Sequence, residues 1–317
     1  MGEFELIQTW FAPLARQVPS DQLLLGPGDD CAIQRVPPGH DLVFSVDTLV
    51  DGVHFPKDYD PRHLGWRALA VAASDLAAMG ARPVCFTLAL TLPSADPVWL
   101  SGFAEGLSQA SKSFGLTLAG GDTTRGPLTI ALQVHGTVPN NASLRRNGAQ
   151  AGEWICVSGC LGEAGAALDY LGADQPTEDQ AEVLAKYHRP QPRLNLGQQL
   201  RGAASAAIDV SDGLLADLGH ILKASGVGAL VDADKLPISP ALVRLVGEAE
   251  AKRLALTAGD DYQLCVTIAQ EHYHSLPETV QSQLTVIGTT SSEPGLRVCG
   301  AELAGLPVGF DHFGRTV

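Results

Sequence analysis

The sequence lacks the basic surplus that attracts nucleic acids and anionic membranes. Its 317 residues include 21 Lys and Arg against 35 Asp and Glu, so the formal net charge is −14. A chain of that charge repels polyanions instead of binding them nonspecifically. We therefore expect neither nucleic acid nor a membrane as a partner, and the acidic excess favours solubility.

Long apolar runs and sorting signals are also scarce. The most apolar helix-like stretch, residues 64–81, contains Arg67 and Asp75, whereas a membrane span needs roughly 18 or more uncharged apolar residues. Glu3 and Glu5 stand where a signal peptide is basic, and Leu6 stands where a myristoylation motif has Ser or Thr. These features predict a cytoplasmic protein without export or lipid anchoring.

Several familiar ligand-binding patterns are absent from the sequence. The six cysteines are scattered, and Cys156 with Cys160 has no nearby His or second Cys pair to complete a zinc site. Reduced thiols are expected. There is no G-x-x-x-x-G-K-[ST] loop, no protein-kinase catalytic loop and no EF-hand loop. Any chemistry on ATP must therefore use a different phosphate-binding arrangement.

The length and the element pattern predict two domains of mixed α and β structure, an α+β fold. At roughly 100 to 200 residues per domain, the chain is long enough for two. A polar, Gly-containing stretch at 147–153 interrupts the pattern, so we place the boundary there, with domains at 1–149 and 150–317. Runs of β-branched and aromatic residues predict strands at 41–46, 84–92, 116–119, 128–138, from Trp154, and at 229–232, 262–268 and 284–289.

Two helices in the first half carry clear start and stop signals. Asp60-Pro61 and Asp96-Pro97 each supply an N-cap followed by proline, and Gly80 and Gly115 supply the terminal glycine. A third helix is predicted at 214–225, directly after Ser-Asp-Gly. Its backbone N–H groups and positive dipole end suggest a phosphate-binding site at Ser211–Gly213.

Aspartates recur at glycine turns and strand ends. Each Gly-Asp pair alone is ordinary turn chemistry, but Asp75 lies inside a predicted helix among small apolar neighbours such as Ala72 and Ala78. A charge buried without a partner is costly. The Asp75 carboxylate must therefore meet a base from elsewhere, stay protonated or bind a cation.

The aspartates as a set indicate a hard cation. They offer oxygen without clustered His or Cys, a donor set that suits Mg²⁺, Ca²⁺ or Mn²⁺ better than zinc. Mg²⁺ commonly completes its coordination with substrate phosphates, so the pattern points towards phosphoryl transfer. The residues concerned are Asp30, Asp47, Asp75, Asp122, Asp209 and Asp212.

These motifs resemble the thiamine-monophosphate kinase family, part of a superfamily that includes aminoimidazole ribonucleotide synthetase, selenophosphate synthetase and a hydrogenase maturation factor. The resemblance covers nearly the whole chain. It is carried by GDDCA (28–32), VDTLVDGVHF (46–55), SDLAAMGA (74–81), GGDTTRGP (120–127), IDVSDGL (208–214), AGDDYQL (258–264) and GFDHF (309–313).

The resemblance implies a fold, an activity and a set of site residues. The fold is an N-terminal α/β domain that forms a β-barrel across a homodimer, followed by a C-terminal α+β domain. The activity is direct transfer of the γ-phosphoryl group of ATP to thiamine monophosphate, assisted by several Mg²⁺ ions and without a catalytic base. The implied metal ligands are Asp30, Ser45, Val46 through its carbonyl, Asp47, Asp75, Asp122, Asp209 and Asp212; the implied ATP contacts are Gly121, Asp122, Arg146 and Ser211; the implied substrate contacts are His54, Asp260 and Phe310.

The chain departs from the family pattern at a few positions. Family members usually carry Gly-Glu-Asp-Tyr-Glu where this chain has GDDYQ at 259–263, so the acid expected to face the substrate, Asp260, is one methylene shorter. Val46 replaces a usual Thr. The selenophosphate and hydrogenase relatives are disfavoured, because the first cysteine and lysine are Cys31 and Lys57 and the sequence ends GRTV without the reactive cysteine of the hydrogenase factor.

Residue reasoning alone leaves alternatives open. A noncatalytic Ca²⁺-binding or scaffold protein would use the aspartates for structure only, and a ligase relative would release ADP and inorganic phosphate. Arg146 or Arg145 could be a solvated linker residue, His54 a structural histidine, and Phe310 a packing residue instead of a ring stacked on the substrate.

Overall fold

The structure, a computed structural model, describes residues 2–301, which form two units that are each organised around a β-sheet. Within those residues, the first unit comprises 2–76 and 81–143, and the second comprises 77–80 and 144–301. No helix of the described part is long and apolar enough to cross a bilayer. All six cysteines are free thiols.

The first unit has a four-stranded sheet in the order β3-β6-β4-β5 and a separate two-stranded hairpin, β1-β2. β6 is antiparallel to β3 and β4, and β5 is parallel to β4. The elements are α1 (Glu3–Leu6), β1 (Leu23–Leu25), β2 (Ile33–Gln34), β3 (His40–Val50), α2 (Pro61–Ala78), β4 (Arg82–Leu92), α3 (Pro97–Phe114), β5 (Thr117–Arg125) and β6 (Thr129–Pro139).

The predicted caps set the ends of the long helices. Asp60 Oδ1 accepts the N–H groups of Arg62 and His63 at 2.7 and 3.1 Å, and the Asp96 carboxylate accepts from Val98 N at the start of α3. Gly115 closes α3 in the left-handed conformation. The predictions for both helices are therefore confirmed, because the signals that set them are local.

The edge strand β3 has two faces of opposite character. Leu42, Phe44 and Val46 are 42, 60 and 62% exposed, while the intervening residues Ser45 and Asp47 are partly buried. Side chains alternate between the faces of a strand, so the apolar residues lie on the open face. In the described residues the sheet keeps β3 and β5 as edges and closes no barrel within one chain, so the barrel across a homodimer stays a prediction.

The second unit has a six-stranded sheet in the order β12-β9-β11-β7-β10-β8, antiparallel except for β12 on β9. Helix α7 packs its Leu214, Leu218 and Ile221 into the core beneath this sheet. The elements are β7 (Trp154–Ser158), α4 (Glu163–Ala167), α5 (Glu178–His188), α6 (Leu194–Gln199), β8 (Ala204–Val210), α7 (Leu214–Ser225), β9 (Gly228–Asp232), α8 (Pro240–Val246), α9 (Glu248–Thr257), β10 (Gln263–Ile268), α10 (Gln270–Ser275), α11 (Glu278–Gln281), β11 (Leu284–Ser291) and β12 (Gly295–Cys299).

Candidate active site

In the first unit, three predicted metal ligands lie together between β3 and α2. The Ser45 hydroxyl donates a hydrogen bond to Asp75 Oδ2. Burial and, to a lesser extent, the neighbouring Asp75 carboxylate together raise the pKa of Asp47 to about 6. Two carboxylates and a hydroxyl thus share one partly buried position. The sequence left Asp75 a basic partner, protonation or a cation; the structure shows a hydroxyl donor, Ser45, and the cation stays a prediction.

Asp122 and Asp30 lie on other elements than that group. The strand register places Asp122 of β5 level with Thr48 of β3, three strand positions away, which is roughly 14 Å along a sheet. Asp30 is exposed in the turn after β1, where its N–H donates to Asp29 Oδ1 at 2.8 Å. The register therefore does not pair Asp122 with Asp47 as strand neighbours within a single chain.

Two other predicted contacts in the first unit have structural partners of their own. A Cβ on Gly121 would lie 1.9 Å from the Leu88 carbonyl oxygen, so the packing of β5 on β4 already requires glycine there. His54 Nδ1 accepts the N–H of Val50 at 3.0 Å, which fixes the imidazole against the end of β3.

In the second unit, the motif at 209–213 forms a strand, a loop and a helix. Asp209 is buried near the end of β8, Ser211 and Asp212 form the turn, and α7 begins at Leu214. Asp217 Oδ2 accepts the backbone N–H groups of Ser211, Asp212 and Gly213 at 3.0, 3.0 and 3.1 Å. A carboxylate of the following helix thus binds the N–H groups of these three residues, while the phosphate site expected at the start of α7 stays a prediction.

The loop at 258–262 runs beside this turn. Asp260 N donates to the Ser211 carbonyl at 2.9 Å and Tyr262 N donates to the Val210 carbonyl at 2.8 Å. Asp260 and Tyr262 have φ values of 69° and 49°, a region that non-glycine residues rarely adopt and that is concentrated at functional sites. The Asp260 carboxylate accepts a hydrogen bond from the Tyr262 hydroxyl at 2.8 Å. The structure thus brings Asp260 next to the turn that carries Ser211 and Asp212.

Two buried carboxylates that the sequence interpretation did not assign support these loops. Asp217 is 2% exposed, and burial raises its pKa to about 6 even though its three backbone hydrogen bonds act in the opposite direction. Asp261 accepts the N–H of Gly162 at 2.8 Å, and burial raises its pKa well above the ordinary value. A sequence signal existed for Asp217, namely an acid in the first turn of a helix that follows Ser-Asp-Gly.

Arg146 and Phe310 complete the predicted set. Arg146 is exposed, but its segment is held in place, since Ala207 of β8 donates to the Arg145 carbonyl at 2.8 Å and Ser225 Oγ donates to the Arg146 carbonyl at 3.2 Å. Phe310 lies outside the described residues.

A magnesium ion requires oxygen donors gathered around one position, and residues 2–301 supply a partial set. In that range, no three His, Cys, Asp or Glu side chains are gathered closely enough to enclose a metal. The group formed by Ser45, Asp47 and Asp75 nevertheless has the chemistry that a hard cation requires, because all of its donors are oxygens. A cation would also relieve the electrostatic repulsion between the two carboxylates. The residues fit an ion completed by ligand oxygens or water.

Comparison with known proteins places the chain in a family. The family model for AIR synthase related protein, N-terminal domain, matches residues 28–138, and that for the C-terminal domain matches residues 150–299. The thiamine-monophosphate kinase of Salmonella typhimurium is 44% identical over 98% of both chains. The Escherichia coli K12 enzyme of the same name is 48% identical over 85% of this chain and 83% of its own.

Solved structures agree with the sequence comparison. The thiamine-monophosphate kinase of Stenotrophomonas maltophilia K279a is 45% identical and superposes with a TM-score of 0.86 over 95% of this chain and 98% of its own. AaThiL complexed with AMPPCP and TMP is 28% identical, with a TM-score of 0.80 over 98% and 97%. Escherichia coli HypE, at 22% identity and a TM-score of 0.70 over 97% of each chain, shares the fold. The chain therefore belongs to the thiamine-monophosphate kinase family, which confirms the resemblance seen in the motifs, and it is a kinase.

Proposed function

We propose that this protein transfers the γ-phosphoryl group of ATP to the phosphate of thiamine monophosphate, giving thiamine diphosphate and ADP in thiamine diphosphate biosynthesis. One observation carries the proposal: AaThiL, which matches 98% of this chain, was solved with AMPPCP and TMP together. AMPPCP is an ATP analogue, so that pair of ligands represents the donor and the acceptor of the proposed reaction.

The chemistry needs alignment and charge neutralisation more than proton transfer. A phosphate monoester has its second pKa near 6, so the acceptor oxygen is already charged near neutral pH and direct in-line attack needs no general base. The barrier lies in bringing two polyanions together and in stabilising charge on the transferred group. An acidic protein such as this one, with a net charge of −14, cannot supply that stabilisation from its aspartates alone.

Magnesium ions would neutralise phosphate charge and hold donor and acceptor in register. In the first unit, the Ser45 hydroxyl and the Asp47 and Asp75 carboxylates would hold one ion. The remaining proposed ligands are Asp30, the Val46 carbonyl, Asp122, Asp209 and Asp212. Gly121, Asp122, Arg146 and Ser211 would contact ATP, and His54, Asp260 and Phe310 would contact thiamine monophosphate.

The domain at 1–149 would serve ATP and metal binding and also dimerisation, with 150–317 as the C-terminal α+β domain of a cytoplasmic enzyme.

The open face of β3 supports a homodimer, because Leu42, Phe44 and Val46 are exposed on an edge strand and exposed apolar sheet surface favours pairing. A second copy would cover that face and complete the barrel. Phe44→Asp should convert dimer to monomer in sedimentation analysis, whereas Asp41→Asn on the same strand should not; a monomeric unmodified protein would refute the dimer.

Product analysis tests the activity directly. Protein incubated with ATP, Mg²⁺ and thiamine monophosphate should form thiamine diphosphate and ADP in equal amounts, with no ADP when the acceptor is omitted. Release of ADP and inorganic phosphate without thiamine diphosphate would instead indicate a ligase-type reaction. Metal binding without any turnover of ATP would leave a noncatalytic role.

A further inference from the structure

We propose that Asp217 is a positioning residue that holds the turn Ser211–Gly213 in the conformation needed for Mg²⁺ and nucleotide phosphate; the inference rests on the proposed function. Asp217 lies in the first turn of α7 and is 2% exposed. A single oxygen, Oδ2, accepts three consecutive backbone N–H groups. Within the described residues, no cationic side chain forms a salt bridge with it.

The pattern of these bonds differs from ordinary helix capping. A capping side chain accepts from N–H groups inside the first turn of its helix, whereas the three groups bound to Asp217 belong to residues that precede Leu214, the first residue of α7. Gly213, at the N-cap position, has no side chain and makes no cap bond. The buried carboxylate therefore fixes the turn itself.

The opposite side of the turn is fixed as well. The Ser211 carbonyl accepts from Asp260 N at 2.9 Å, and a Cβ on Gly213 would lie 2.6 Å from the Thr257 carbonyl oxygen. The N–H side is thus bound to Asp217 and the carbonyl side to the loop at 258–262. None of these bonds uses the side chains of Ser211 and Asp212, which are the groups proposed to contact ATP and Mg²⁺. Asp217 would act through them without touching either ligand.

Two variants separate positioning from general stabilisation. Asp217→Asn keeps the side-chain volume but removes the charge that attracts three N–H groups to one oxygen. Ser239→Ala is the matched control, because the buried Ser239 hydroxyl accepts the Leu242 N–H at the start of α8 in the same unit, so its loss removes a buried backbone contact far from the turn in sequence. Loss of groups that orient ligands typically costs about 10- to 100-fold in metal affinity or activity.

The measurements are MgATP binding by calorimetry, the Mg²⁺ concentration for half-maximal rate, and Tm. For Asp217→Asn we expect both the Kd for MgATP and the half-saturating Mg²⁺ concentration to rise about 10-fold or more, while Ser239→Ala keeps wild-type values of both even if its Tm falls as far. Values for Asp217→Asn within twofold of wild type would overturn the proposal, as would equal changes in the two variants.

Hydrogen exchange keeps the test decisive if Asp217→Asn fails to fold. In the wild-type protein, the amides of Ser211, Asp212 and Gly213 should exchange slowly despite lying in a turn. Exchange at the rate of exposed turns such as that at Asp58 would contradict the bonds to Asp217. If the wild-type protein transfers no phosphoryl group to thiamine monophosphate, the proposed function fails, but nucleotide binding and amide exchange still decide the role of Asp217.

Discussion

The two groups of candidate ligands are held in place by different means. In the first unit, Ser45 and Asp47 alternate along β3 and meet Asp75 of α2, so regular elements position the side chains. In the second unit, Ser211, Asp212 and Asp260 lie on turns whose backbone is bound to buried carboxylates and to each other. The first arrangement tolerates loss of one hydrogen bond better, because strand and helix persist without it, whereas the second depends on particular backbone contacts.

This contrast implies that ligand binding by the first group should be most sensitive to changes in side-chain chemistry. Ligand binding by the second group should be most sensitive to changes in backbone freedom.

The prediction with the largest expected effect concerns Asp75→Asn. The amide keeps the volume and can still accept the Ser45 hydrogen bond, but it removes the charge that would hold Mg²⁺. We expect a folded protein whose kcat falls on the order of 100-fold or more, measured at saturating ATP and thiamine monophosphate.

Asp41→Asn provides the control for Asp75→Asn, because Asp41 is an exposed carboxylate on the same strand as Ser45. It should keep near-normal turnover. Near-normal turnover of Asp75→Asn itself at saturating Mg²⁺ would remove Asp75 from the ligand set.

The second prediction concerns backbone freedom at Gly213. Its φ is 116°, and an added Cβ would lie 2.6 Å from the Thr257 carbonyl oxygen, so Gly213→Ala should destabilise the protein by roughly 1–3 kcal/mol. Urea denaturation measures the change. Gly219→Ala, in the middle of α7 with no atom within 4 Å of its added Cβ, should instead stabilise by roughly 0.5–1 kcal/mol. Equal effects of the two substitutions would mean that the turn is not strained as described.

The third prediction concerns Asp260, the shorter acid of the GDDYQ motif. If its carboxylate contacts thiamine monophosphate away from the transferred group, it binds ground and transition states alike. Asp260→Ala should then raise the KM for thiamine monophosphate about 10-fold while leaving kcat and the KM for ATP near wild type, and Asp260→Glu should be tolerated. Steady-state kinetics with each substrate varied separately would show this.

Other kinetic outcomes for Asp260 would assign it differently. A large fall in kcat with an unchanged KM would place it among the metal ligands. Unchanged kinetics throughout would shift substrate recognition to Phe310.

The sequence predicted the elements that local signals define. The helices at 61–78, 97–114 and 214–225 follow from caps, terminal glycines and apolar spacing, and every strand predicted is present, most with shifted ends. Strand β12 and several short helices of the second unit, such as α8 and α9, were not predicted, since long-range packing determines short segments more than their composition does.

The side chains that would meet a ligand were predictable as candidates only, and their roles stay predictions. The environments of Asp217 and Asp261 were not predictable, because their partners are backbone N–H groups of Ser211–Gly213 and Gly162, and any residue type can supply those. The expectation of a phosphate near this turn did not foresee the Asp217 contact either, because composition does not reveal which acceptor binds a given backbone donor.

The last and smallest effect is the pH dependence that Asp261 gives to stability. Burial, followed by the nearby Glu163 and Asp260 carboxylates, raises the pKa of Asp261 well above its ordinary value of 3.8. The folded protein therefore holds this proton over a pH range in which the unfolded chain has released it. The stability contributed by Asp261 is complete below pH 3.8 and is lost as the pH rises through the folded-state pKa.

Asp261→Asn removes this titration while keeping an oxygen that can accept the Gly162 N–H. The free energy of unfolding of the wild type minus that of Asp261→Asn should therefore decrease as the pH rises above 3.8 towards neutrality. Urea denaturation of both proteins at each pH measures it, and groups common to both cancel in the difference. A difference that stays flat would mean that Asp261 is not buried, and one that increases with pH would mean that its carboxylate is stabilised in the charged form.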